Sequence, residues 1–247
     1  MSISMSMSSL SPQLTIGGET YERATVTSIC VREGITSIPD KTFMGCVNLS
    51  SISLPSTLLS LGEMAFAYTC KLSSIVIPFG VDFCGEYCFA HSFIKSIGLP
   101  SSLRTIERGM FLRCSCLEGI DLRYINSEIK SDAFCGCSNI QSIIIEVGIT
   151  SLEENSFYRC SRLESITIPN SVTCVKSSVF SYCEKLRSIT IPESALVDAD
   201  YGIGELGYND PFEGCTKLES IARSHNLELV EYLRNQTELN FAIFALG

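Results

Sequence analysis

The chain has 247 residues, of which 45% are hydrophobic and 18% are charged, so it can bury a large core. Its formal net charge is −9 and its isoelectric point is near 4.8. Together with the lack of any Lys/Arg cluster, this acidity argues against a nucleic-acid binder. No stretch of sequence approaches the roughly 20 apolar residues that a membrane helix requires.

Residues 1–20 precede the regular part of the chain. The first eleven are rich in Ser and Met, without a basic region followed by an apolar run, and so do not resemble a secretory signal. We expect residues 1–20 to form a disordered leader or an amino-terminal cap. The lack of a signal and the odd number of cysteines favour the cytoplasm.

Phenylalanines then recur at a nearly fixed interval of 23, 23, 22, 23, 23, 23 and 32 residues. A constant period in the twenties indicates a solenoid built from repeated coils. The recurring residues are Phe43, Phe66, Phe89, Phe111, Phe134, Phe157, Phe180 and Phe212.

Each interval also contains the pattern of one short strand. Apolar residues such as Ile166 and Ile168 alternate with small polar residues, which predicts a strand with one buried face, and Pro169 then ends it. About six apolar side chains per coil, each contributing roughly 1.5–3 kcal/mol, cannot offset about 1–2 kcal/mol of backbone entropy per ordered residue. The coils must therefore stack to fold.

This pattern, from Val26 to Ile221, resembles the BspA-like leucine-rich repeats, with Leu-x-x-Ile-x-Ile-Pro followed by Ala-Phe-x-x-Cys. Arg123 and Glu146 depart from it, because each replaces the proline. The resemblance implies an α/β-type right-handed leucine-rich-repeat solenoid over residues 21–225. It implies one parallel β-sheet on the concave face and a mostly irregular convex side. It also implies adhesion or protein recognition, often at a microbial surface as a surface antigen, with no catalytic residues.

The last interval holds about nine extra residues, which we place in an inserted loop over residues 197–211. An inserted loop can carry binding residues, although a plain solvated loop is the alternative. The sequence around the loop's first aspartates lacks the spacing of a calcium-binding loop. The candidate contact residues of the loop are Asp198, Asp200, Tyr201 and Tyr208.

Beyond the repeats, we expect residues 226–247 to form a helical cap and tail. Asn226 can cap a short helix over residues 227–235, with Glu228 early and Arg234 late, as the helix dipole favours.

Cysteine is abundant, with thirteen residues, six of which follow the recurring phenylalanine by three positions. A shared place in the repeat predicts small buried thiols. A disulfide ladder and a zinc site built from pairs such as Cys84 and Cys88 are the alternatives. A thiol-dependent enzyme would require a cysteine to meet His91 or His225. We expect no cofactor and no metal.

The candidate binding surface is a column of serines eight residues after the phenylalanine, together with its variable neighbours. Serine also suits a crowded sheet, so packing is an alternative reason for the column. We expect a non-catalytic scaffold that binds another protein or a cell-surface ligand through this face. An intracellular adaptor or regulatory subunit using the same face is the alternative. The candidate contact residues are Val76, Lys95, Glu118, Asp121, Gln141, Ile144, Glu164, Thr167, Arg187 and Thr190.

Overall fold

The computed structural model describes residues 10–192, 195 and 211–224, and these residues form a stack of similar coils. One column of strands runs along the stack, and each member begins with a serine, which was predicted for all of them except the first. Its strands are β3 (Ser28–Cys30), β5 (Ser51–Ser53), β7 (Ser74–Val76), β9 (Ser96–Gly98), β11 (Ser142–Ile144), β13 (Ser165–Thr167) and β15 (Ser188–Thr190).

A second column of two-residue strands lies on the return side of the coils, which the sequence pattern had not predicted as strands. The pairing is parallel, as in the first column. Its strands are β4 (Ser37–Ile38), β6 (Ser60–Leu61), β8 (Phe83–Cys84), β10 (Glu128–Ile129), β12 (Ser151–Leu152) and β14 (Cys174–Val175).

The register of the first column aligns serine with serine: Ser51 lies opposite Ser28, and Ser165 lies opposite both Ser142 and Ser188. The column is divided into three ladders, β3–β5, β7–β9 and β11–β13–β15, instead of one continuous sheet. The coil between β9 and β11 has Gly119 where the others have serine. Glycine disfavours strand structure because it has no side chain to pack.

The phenylalanine corner holds neighbouring coils together through backbone hydrogen bonds. In the coil of Phe134, the amides of Asp132, Phe134 and Gly136 donate to the carbonyls of Glu154, Ser156 and Tyr158, at 2.9, 2.8 and 2.7 Å. The residues two before and two after the phenylalanine have positive φ, as at Asp132 (60°) and Gly136 (75°). This left-handed geometry turns the chain twice per corner, so that all three amides point to the next coil.

The core consists of ladders of identical side chains. The eight phenylalanines stack face to face along the whole row, with centroid separations of 5.0–5.7 Å. All are at most 3% exposed. The predicted row of aligned phenylalanines is therefore confirmed, and so is the solenoid architecture that it implies.

Both ends of the described stack differ from the coils. An antiparallel hairpin of β1 (Gln13–Ile16) and β2 (Glu19–Glu22) buries Leu14 and Ile16 in the same core. At the other end, helix α1 (Thr216–Ser224) occupies the place of the strand that we expected around Ser220 and Ile221, so that strand prediction is wrong. The helix predicted over residues 227–235 lies outside the described residues.

Candidate functional site

The first strand column presents a ribbon of exposed side chains, which we call the serine face and define as the exposed residues of β3, β5, β7, β9, β11, β13 and β15. Two apolar residues interrupt this small polar surface, Val76 at 80% and Ile144 at 70% exposure. Each occupies the last position of its strand, where Thr167 and Thr190 stand in β13 and β15. Isolated β-branched side chains at this exposure are available for contact.

The charged and polar residues predicted to flank the serine face share one repeat position, and backbone hydrogen bonds join them in two groups, Lys95 with Glu118 and Gln141 with Glu164 and Arg187. The backbone amides of Glu118, Glu164 and Arg187 donate to the backbone carbonyls of Lys95, Gln141 and Glu164, at 3.1, 2.9 and 3.0 Å, respectively. The side chains of Glu164 and Arg187 also form an ion pair at 2.5 Å. All five predicted residues of this row therefore lie together along one edge of the face.

Asp121 occupies the same repeat position as Val76 and Ile144, in the coil without a strand. Its carboxylate accepts hydrogen bonds from the side chain and the amide of Arg123, at 2.7 and 3.1 Å. The side-chain hydrogen bond is the main reason why the pKa of Asp121 lies below its usual value. Asp121 is thus ionised and already paired, unlike its apolar counterparts.

The predicted contact residues of the inserted loop, Asp198, Asp200, Tyr201 and Tyr208, lie outside the described residues.

The six cysteines that follow the phenylalanine by three positions are all fully buried, as predicted. All thirteen are free, so the disulfide alternative is not realised. The sulfur of Cys114 donates to the carbonyl of Phe89 in the preceding coil at 3.0 Å, and Cys137 repeats this bond to Phe111 at 3.1 Å. The coil of Phe89 has Ser92 in place of the cysteine, and the Ser92 hydroxyl lies 3.4 Å from Cys114. These thiols therefore add a second hydrogen bond to corner carbonyls that already accept one from a backbone amide, that of Ser92 at Phe89 and that of Cys114 at Phe111, at 3.1 and 3.0 Å.

The raised pKa values of Cys114 and Cys135 argue against nucleophilic chemistry at these two thiols. Burial raises the pKa of Cys114 to about 12 and that of Cys135, near the surface, to about 11. His91 lies two coils from Cys135, which is about 10 Å at one strand spacing per coil. A reactive thiol requires a lowered pKa and an adjacent base, and this pair has neither.

The described residues form neither a metal site nor a membrane span. They contain no group of three or more His, Cys, Asp or Glu side chains placed to hold a metal ion. Within the same part of the chain, no helix has the length and apolar character of a bilayer span.

Sequence reasoning missed a groove beside the phenylalanine corner, lined by residues that include Arg113, Tyr158, Arg159 and Tyr182. These side chains stand one or two positions after the phenylalanine, where the residue type varies from coil to coil. The only regular signal there is the recurrence of glycine, as at Gly136, and it reports backbone geometry instead of binding.

Two solved structures agree with this architecture. The leucine-rich repeat protein of T. pallidum superposes with a TM-score of 0.62 at 25% identity, over 76% of this chain and 87% of that one. A leucine-rich repeat protein from Bacteroides ovatus superposes with a TM-score of 0.50 at 24% sequence identity, over 75% of this chain and 69% of that one. A leucine rich cell surface protein from Faecalibacterium prausnitzii has a TM-score of 0.37 at 26% sequence identity. The match covers 66% of this chain and 59% of that protein. No curated protein gives a significant match.

A model of the BspA type leucine rich repeat region matches residues 14–138, 84–201 and 114–232, with six copies. These overlapping matches cover most of the chain, including the stacked coils and helix α1. The chain belongs to the BspA-type leucine-rich repeat family.

Proposed function

We propose that this protein is a non-catalytic recognition scaffold that binds another protein through the serine face, which leucine-rich repeat folds place on their concave side. Repeat proteins of this kind generally bind proteins over extended surfaces of this sort. The observation that carries the proposal is the exposure of Val76 and Ile144 on an otherwise small, polar strand surface.

The geometry of the face suits a flat partner surface. Serine side chains leave the strand backbone close to the surface, and the two apolar residues project above them as anchors. Burying a Val or Ile side chain contributes about 1.5–3 kcal/mol, so the pair can supply a large share of a moderate affinity. The charged row from Lys95 to Arg187 then selects partners at the rim by complementary charge.

The first test is affinity capture from the source cell, followed by measurement of the dissociation constant for the captured protein. We expect Val76→Glu/Ile144→Glu to weaken binding by more than about tenfold, from the loss of at least one buried anchor. The matched control is Leu59→Glu/Phe83→Glu, which alters two residues of the return side that are 51% and 50% exposed. Equal affinities for both double variants would reject the serine face as the binding site.

Charge reversal tests the row that flanks the face. Glu118→Lys has no described side-chain partner to disturb, whereas Arg187→Glu breaks the ion pair with Glu164. If the row selects the partner, both variants change the salt dependence of binding while the fold, followed by circular dichroism, stays the same.

Adhesion at a cell surface is the form of this function that the family resemblance favours. The thirteen free cysteines favour the second candidate, an intracellular adaptor or regulatory subunit that uses the same face, because free thiols are typical of a reducing compartment. Localisation of the native full-length protein by immunofluorescence, with and without permeabilisation, separates the two. Labelling of intact cells supports the adhesin, and labelling only after permeabilisation supports the adaptor.

A further inference from the structure

A second recessed surface lies one corner away from the serine face. This groove of about 650 Å³ crosses five consecutive coils beside the phenylalanine corner, and we call it the arginine–tyrosine groove. Its principal side chains are His91, Phe93, Arg113, Tyr158, Arg159 and Tyr182.

Arg159 lies beside a pair of tyrosine rings, Tyr158 and Tyr182, which contact each other edge to face at a centroid distance of 5.4 Å. Its guanidinium carbon lies 5.3 Å from the centre of the Tyr158 ring and 5.5 Å from that of Tyr182. A cation–π contact uses the charge of a guanidinium and does not consume its N–H groups, which stay available to donate. Within the described residues, Arg159 and Arg113 take part in no ion pair, whereas six other basic side chains do.

The backbone beneath these arginines is fixed. Arg113 and Arg159 both have positive φ, 55° and 57°, and their amides donate to the next coil, at 2.7 Å to Cys135 and 2.9 Å to Ser181. The hydroxyl of Tyr182 donates to Glu213 at 2.7 Å, which orients one of the two rings beside Arg159. The backbone of both arginines and the side chain of Arg159 are therefore positioned before any ligand arrives, so less entropy is lost on binding.

The charges around the groove are unequal along its length. Glu184 and Glu213 stand at the end beyond Arg159, while no carboxylate lines the stretch from His91 to Arg159. The nearby carboxylate of Asp132, whose charge acts on Cys135, is paired with Arg108 at 3.9 Å. Burial keeps the Cys135 thiol protonated there. A positive segment in a protein whose net charge is −9 attracts an anionic group by local contact and not through the overall field.

We propose that the arginine–tyrosine groove binds an extended acidic segment of a partner polypeptide. The two arginines lie two coils apart, about 10 Å at one strand spacing per coil, so their long side chains can reach carboxylates two residues apart, about 7 Å, on one face of an extended chain. Phe93, 47% exposed at one end, provides a contact for an apolar side chain of the same segment. Five coils accommodate about six extended residues.

The test uses a short fluorescein-labelled peptide of alternating Glu and Ala residues, with its Gln–Ala counterpart as the uncharged probe. Binding to the full chain is followed by fluorescence anisotropy at low ionic strength. We expect the Glu–Ala peptide to bind, the Gln–Ala peptide not to bind, and Arg113→Glu/Arg159→Glu to weaken binding by about tenfold.

The matched control is Arg104→Glu/Lys176→Glu, which changes the net charge equally at exposed residues of the return side. Unchanged binding by this control supports the groove, whereas an equal loss in both double variants would overturn the proposal. It would also be overturned if the Glu–Ala peptide failed to bind, or if a heparin oligosaccharide bound and the peptide did not. Unchanged circular dichroism spectra and thermal midpoints establish that both variants fold.

Discussion

Replacement of Phe134 by alanine tests the physical basis of the stack. The ring is fully buried and lies between Phe111 and Phe157, each at a centroid distance of 5.4 Å. Loss of a buried Phe side chain costs about 3–5 kcal/mol, and two lost ring contacts place the value near the upper end of that range. Because the total stability of a domain is about 5–15 kcal/mol, Phe134→Ala removes a large part of it.

Equilibrium urea unfolding measures this loss. Phe134→Leu, which keeps part of the volume but no ring, should fall between the wild type and the alanine variant. Phe79→Ala, at a ring that is 78% exposed, is the matched control and should change the free energy of unfolding by less than about 0.5 kcal/mol. A cost for Phe134→Ala below about 2 kcal/mol, or one equal to that of Phe79→Ala, would refute the stacked row as the main source of stability.

Three further outcomes follow from the structure. In the folded protein, a maleimide should label exposed Cys30 and leave Cys114 unlabelled at neutral pH, as mass spectrometry of peptides would show. Gly109→Ala should lower the thermal midpoint because φ is +58° and the added Cβ would meet an aromatic ring at 2.2 Å, whereas Gly119→Ala, with nothing within 4 Å, should not. The pKa of His91, lowered by burial and then by a nearby arginine, should lie below 6.5 in an NMR titration. Since the unfolded chain then binds more protons, this histidine contributes stability above its unfolded pKa and loses it as the pH falls through that value.

The repeat architecture was predictable because the residues that recur with a fixed period are those whose side chains are buried. Phe134 and Ile143 are each 4% exposed or less, so their positions tolerate few residue types and the same residues recur from coil to coil. The serine column was predictable for a related reason, since its strand position alternates strictly with a buried isoleucine.

Features that depend on backbone geometry were not predictable in the same way. Asp132, Asn155 and Ser178 share one left-handed corner position although their side chains differ. The return-side strands are two residues long, too short to show alternation. Helix α1 replaced the expected strand because Leu218 and Ile221, three residues apart, satisfy a helical face as well as a repeat.

Of the two candidate binding surfaces, one was predictable from the repeat pattern and the other was not. The sequence identified the row from Lys95 to Arg187 because those residues flank a regular strand. It did not reveal the arginine–tyrosine groove, since Arg113 and Arg159 come together only through coil stacking and have no fixed partner in the repeat pattern. Side chains that vary between coils are the part of such a chain that its periodicity cannot place.

The phenylalanine corner also determines how the molecule would respond to mechanical load. Backbone hydrogen bonds connect every corner from Phe43 to Phe212, whereas the strand column is interrupted on either side of β7–β9. A bending force would therefore open the strand side first, at the coil of Gly119, while the aromatic row acts as the hinge line. Tension along the axis of the stack would load every junction between neighbouring corners in series. The weakest junction, and not the average one, would therefore set the force at which the coils separate.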